Sequence, residues 1–117
     1  MRKAEYDFLS WTSFPSSGKI LNDTRNLWAY FFDGYTPSLA VTPGSTIMIK
    51  VNAKQSNVMF MRSGVVIHWY DREADKWRYL KELKLPLGSF DWQVFESTFK
   101  VPAGVTLIRG RIRAGGS

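Results

Sequence analysis

The chain has 117 residues, 44% of them hydrophobic, 22% charged and 15% aromatic, which leaves room for one compact core and excludes an intrinsically disordered segment. It contains no cysteine and a single histidine, His68, so disulfide scaffolds, thiolate catalysis and metal sites built from Cys or several His are excluded. Sixteen Lys and Arg against ten Asp and Glu give a net charge of +6, a clue to partners rather than to fold.

The basic start Met1-Arg2-Lys3 is followed by no apolar run that would make a signal-peptide core. No stretch reaches the roughly 20 apolar residues of a membrane span, and the reading is a soluble chain with no membrane partner. Turn residues then punctuate at short intervals: Pro15-Ser16-Ser17-Gly18, Asp33-Gly34, Pro43-Gly44, Arg62-Ser63-Gly64, Pro86-Leu87-Gly88 and Pro102-Ala103-Gly104. From Ser45 to Lys54 the residues alternate, with Ile47, Ile49, Val51 and Ala53 on one face and Met48, Lys50 and Asn52 on the other, the pattern of a half-buried strand. Gly64 to Tyr70 is β-branched and aromatic, and Val65, Ile67 and Trp69 are assigned inward, which turns His68 and Tyr70 outward. Asp71 to Leu85 carries Trp77, Leu80 and Leu83 at three-residue steps, as a helix would, but no clear cap marks either end. The preferred reading is a polar hairpin turn and a returning strand, Trp77 to Lys84. Gln93 to Val101 puts Phe95, Phe99 and Val101 on one side, and Thr106 to Arg113 alternates so that Arg109, Arg111 and Arg113 project together. The expectation is one all-β domain over residues 1–117, an antiparallel two-sheet β-sandwich or jelly roll.

The second half also shows an ordered series. Val41-Thr42-Pro43-Gly44-Ser45-Thr46 leads into a strand, Trp69-Tyr70-Asp71 ends another, and Trp92 and Phe95 precede Phe99-Lys100-Val101-Pro102-Ala103-Gly104-Val105. That order, over Leu39 to Arg113, resembles the jelly-roll carbohydrate-binding modules of the family 4, 9 and 22 kind. The resemblance implies a sandwich that binds glycans without cleaving them, an extracellular or surface-associated setting, and a Trp92 that closes one end of the sandwich. Two departures accompany it. Trp11 matches the partly buried Trp of the opening segment only loosely, and the acidic closing strand is missing at Ala114-Gly115-Gly116-Ser117, so neither metal nor other cofactor is carried over. Tyr6 to Trp11, or a partner chain, would then supply the pairing that the missing strand leaves open.

Glycan sites stack flat rings on sugar C–H faces and place planar polar groups against hydroxyls. Here Trp28, Tyr30, Trp77 and Tyr79 are the candidate stacking residues, with Asn52, Gln93, Arg109 and Arg111 as the hydrogen-bonding set. Three like charges on one strand face repel unless screened or matched, so the arginines point to cross-strand acids such as Glu96 or Asp71, to plain solvation, or to an anionic ligand. No catalytic residues are assigned: the acids fall mostly in turns (Asp23, Asp33, Glu73, Asp75, Asp91), and no serine sits in a nucleophile-elbow context. The expected partner is a polysaccharide or oligosaccharide, including an anionic one, bound by a non-catalytic module. The alternative is an assembly or receptor-recognition module of a larger surface or virion protein, self-associating through an open strand edge. Single-stranded nucleic acid ranks third, because no phosphate-cradling loop or RNA-recognition aromatic motif accompanies the positive charge.

Overall fold

The computed structural model of the chain describes residues 3–14, 19–29 and 34–113; the turn placed at Pro15-Ser16-Ser17-Gly18, together with Tyr30 and Asp33, lies outside them. The described residues form nine strands and no helix: β1 (Lys3–Phe14), β2 (Lys19–Ala29), β3 (Gly34–Tyr35), β4 (Leu39–Ala40), β5 (Thr46–Val58), β6 (Gly64–Asp71), β7 (Lys76–Lys84), β8 (Gly88–Lys100) and β9 (Leu107–Arg113). One sheet has the order β2-β1-β5-β8; the other has the order β3-β9-β6-β7, with β4 also on β9. The pairings β6 with β7, β5 with β8 and β4 with β9 are nested and antiparallel, and they fall alternately in the two sheets. A long hairpin rolled up on itself pairs in this way, which is the winding of a jelly roll. The expected all-β, two-sheet antiparallel sandwich is therefore what forms.

Tyr6 to Trp11 do supply strand pairing, along β5 with a register shift between Tyr6 and Phe8, but as an inner strand between β2 and β5 and not at an edge. The core lies between the sheets. Tyr6, Leu9 and Trp11 of β1 and Ile47, Ile49, Val51 and Ala53 of β5 meet Val65 and Ile67 of β6 and Ile108 and Ile112 of β9, all buried. Trp69 packs against this cluster, as its inward assignment requires, while Val66, of the opposite parity, is also buried. At one end the Tyr6 hydroxyl donates across the sandwich, lying 3.2 Å from the Gly64 carbonyl and 3.2 Å from that of Arg113.

Two irregularities decide which residues face inward. The β1–β5 register shifts between Tyr6 and Phe8, so the buried set runs Ala4, Tyr6, then Leu9, Trp11 instead of continuing in steps of two. In β7 the register shifts opposite Ile67 and His68: Lys81 pairs with Ile67, whereas Tyr79 pairs with His68. Leu80 is the extra residue and packs against the core with Leu83. The three-residue step from Leu80 to Leu83 is thus a β-bulge, not a helix turn, and beyond it Tyr79 and Trp77 share the outward face of His68 and Tyr70.

The hairpin between β6 and β7 is closed by Asp71, whose carboxylate accepts the backbone N–H groups of Glu73 (3.1 Å) and Ala74 (3.3 Å) and holds Arg78 Nε at 2.6 Å. The Arg78 hydrogen bond, followed by that of Ala74, keeps the Asp71 carboxyl below the usual carboxylate range. Asp23 and Asp91, expected in turns, lie within β2 and β8. Trp92 does not close an end of the sandwich: it is 47% exposed, because it has the outward parity of Val94, which pairs with Asn52 on the solvent side of the first sheet.

Candidate functional site

The outer face of the β3-β9-β6-β7 sheet collects most of the rings and cations that the sequence singles out. Directly paired residues of an antiparallel ladder share a face. Arg109, Arg111 and Arg113 of β9 stand opposite His68, Val66 and Gly64 of β6, and β7 adds Tyr79 opposite His68 and Trp77 opposite Tyr70. On the other side of β9, the two-residue strand β3 places Tyr35 opposite Arg111.

Arg109 is the centre of this face. Its guanidinium carbon lies 4.0 Å from the Tyr35 ring centroid and 4.2 Å from that of Trp77, so rings from two different strands cover it. Each such contact contributes about 0.5–1 kcal/mol at an exposed site and more where water is excluded. Rings that hold a guanidinium by its π surface leave in-plane N–H donors as its means of bonding a carboxylate or a sugar diol. Arg109 Nε is buried and has no hydrogen-bond partner among the described residues. The Trp77 ring leans against Tyr70 at 5.4 Å and 57°, and the Tyr70 hydroxyl donates to Asp75 in the hairpin turn. Tyr79, 60% exposed, stands beside this cluster.

The acids that the sequence offered as partners for the arginines are elsewhere. Glu96 belongs to the other sheet, 3.9 Å from Lys50, and Asp71 holds Arg78. Of the residues paired to the three arginines on β6, none is acidic.

His68 lies among these cations. Burial first, and then the guanidinium groups of Arg109 and Arg111, push the imidazole pKa below its ordinary value. The folded state therefore holds its proton less tightly than the unfolded state does, so the contribution to stability is complete above about pH 6.5 and is lost as pH falls through the lowered folded value. Urea midpoints measured at about pH 7.5 and pH 5.5 are expected to drop with acidity more in the natural protein than in His68→Gln. Equal drops in the two proteins would mean that His68 titrates as it does in water.

The sequence groups Asn52, Gln93, Arg109 and Arg111 as one hydrogen-bonding set, and the structure separates them. Asn52 pairs with Phe8 and Val94 on the outer face of the first sheet, and Gln93 pairs with Ala53, on the core-facing parity of the edge strand β8. Neither shares a sheet with Trp77, Tyr79, Arg109 or Arg111. Trp28 is described only through its pairing with Glu5 in β2, again in the first sheet, and Tyr30 lies outside the described residues. Four of the eight candidates are thus brought together, and Tyr35, which the sequence reading passed over, joins them. Its signal was faint: a single aromatic after Asp33-Gly34 in a strand too short to show any alternation. No family model, curated protein or solved structure matches the chain.

Proposed function

We propose that this chain is a non-catalytic module that binds a polysaccharide across the outer face of the β3-β9-β6-β7 sheet. The observation that carries the reading is the Tyr35–Arg109–Trp77 stack, with the exposed Tyr79 beside it. A sugar ring needs a flat apolar surface and in-plane donors, and the stack supplies both without further ordering. Charge favours an anionic polymer. Successive arginines on β9 are separated by about 6.6–6.8 Å of strand on one face, a spacing that presents several guanidinium groups along an anionic chain.

The test is a glycan array of neutral and uronic acid polymers, followed by calorimetric titration of the best binder. Arg109→Ala and Trp77→Ala are each expected to weaken binding at least about ten-fold, in line with truncating a central stacked residue. Asn52→Ala, on the other sheet, should bind as the natural protein does. Absence of binding at millimolar glycan, or unchanged affinity in both site variants, would remove the assignment.

A second reading, an assembly module, rests on β8. Among the described strands it pairs with β5 alone, and it exposes Trp92 and Val94 on its outward face. Concentration-dependent dimerisation in sedimentation, without glycan affinity, would favour that reading.

A further inference from the structure

At the Arg113 end of the sandwich, the connection between β5 and β6 exposes three consecutive large apolar side chains: Met59 at 60%, Phe60 at 66% and Met61 at 66%. Leu87, in the connection between β7 and β8, adds a fourth at 46%. The two connections are fastened to one another. The buried Gln55 side chain donates from Nε2 to the carbonyls of Pro86 (2.8 Å) and Gly88 (3.1 Å), the Asn57 N–H donates to Ser89 Oγ (2.9 Å), and the Leu85 N–H donates to the Ser63 carbonyl (2.8 Å). Val58, fully buried, anchors the base of the tip. A buried amide spent on holding two loops together means that the apolar tip is presented on a fixed base.

Beside the tip is a cleft of about 420 Å³ lined by Met61, Leu87, Arg62, Lys84, Arg113 and Glu82. Three cations here face one carboxylate, and that carboxylate lies 3.7 Å from Lys84 Nζ. A groove that receives a peptide surrounds its ligand with half-buried walls, whereas side chains two-thirds exposed at consecutive positions form a protrusion. A protruding apolar tip with a basic collar matches the cross-section of an anionic bilayer, where acyl chains lie just below a layer of phosphates.

We propose that the Met59-Phe60-Met61 tip inserts into the headgroup boundary of an anionic lipid bilayer, with Arg62, Lys84 and Arg113 against the lipid phosphates. Hydropathy along the chain gives no membrane partner because it detects spans, and a three-residue tip flanked by cations escapes it. Docking at this end leaves the aromatic face of the second sheet free, so the inference is independent of the polysaccharide reading.

The experiment is co-sedimentation with vesicles of phosphatidylcholine alone and with about 30% phosphatidylglycerol, at low and high salt. Binding is expected only to the anionic vesicles, falling as salt rises. Arg62→Ala should weaken it about five-fold, the effect of one cation near such a surface, and the Phe60→Ser/Met61→Ser double variant at least about ten-fold. Since the chain has no cysteine, Met61→Cys can carry a single nitroxide label. The label should become protected from a polar relaxation agent on anionic vesicles, which tests insertion even if the double variant folds poorly. No binding to anionic vesicles, equal binding to both compositions, or a label that stays in water would overturn the proposal. So would a lipid-independent dimer lost in the double variant, which would put a second copy on the tip.

Discussion

Trp11→Ala is expected to cost about 3–5 kcal/mol, the range for emptying a buried aromatic site. Small domains are stable by about 5–15 kcal/mol, so the variant loses a large share of that margin. Trp11 is fully buried on β1, paired to Ile49, and its indole reaches the other sheet at Gly110, where an added Cβ would lie 3.2 Å from Trp11 Cζ2. The same Cβ would lie 3.1 Å from Val65 Cγ1 and 3.3 Å from Thr36 Cγ2, so the indole, Val65 and Thr36 already fill the space over Gly110. Gly110→Ala should therefore destabilise by about 1–3 kcal/mol through overpacking, and by less in a Trp11→Phe background, where the smaller ring leaves room. Urea unfolding checks both. A loss below about 1.5 kcal/mol in Trp11→Ala would mean that the indole does not bridge the sheets.

Gly64→Ala should be nearly as damaging, for a different reason. Gly64 has φ +149°, and a Cβ there would lie 1.9 Å from the Leu83 carbonyl oxygen and 3.2 Å from the Lys84 Cα. Both are backbone atoms, so β7 must move away from β6 before the methyl fits. That shift would disturb the Gly64 pairings to Lys84 and Arg113 and the Tyr6 hydroxyl bond to the Gly64 carbonyl. A loss of about 3 kcal/mol or more is expected from the combined strain and lost pairing, against under about 1 kcal/mol for Gly34→Ala, whose Cβ would meet nothing within 4 Å. Thermal melts of the two variants decide it: similar midpoints would show that β6 and β7 do not approach as closely as described.

Both substitutions bear on function through the same geometry. Trp11 and Gly110 set the spacing of the sheets beneath β9, and Gly64 seats β7 against β6, so together they hold the strands whose outer faces carry Arg109, His68 and Trp77. A binding surface on sheet faces inherits the rigidity of its ladder, which is how the three-strand contact of Tyr35, Arg109 and Trp77 can exist before any ligand arrives.

Much of the fold was legible in alternation. The inward faces read on Ile47 to Ala53, on Val65, Ile67 and Trp69 and on Phe95 and Phe99 are those that pack against the core, and the hairpin between Tyr70 and Trp77 forms as read. Alternation failed where a bulge resets its phase. At Asp7 the reset hid β1 as a continuous strand, and at Leu80 it imitated helical spacing while turning Trp77 and Tyr79 toward solvent. Such a reset depends on the partner strand, which local pattern does not contain. The candidate site was legible in its residue types and only half legible in its membership. Asn52 and Arg109 look alike in their strands, each outward and polar, yet they lie on opposite sides of the sandwich.

Charge and periodicity were enough by themselves to determine a basic, all-β chain with Arg109, Arg111 and Arg113 on one strand face. Only the tertiary structure decided what that face meets. Strand order depends on pairings between residues far apart in the chain, and these put His68 and Trp77 beside the arginines, left Glu96 and Asp71 with other cations, and brought Tyr35 over Arg109. The arginines of β9 are thereby set beside exposed rings on one sheet, because β3 and β7 bring Tyr35, Trp77 and Tyr79 to the same face.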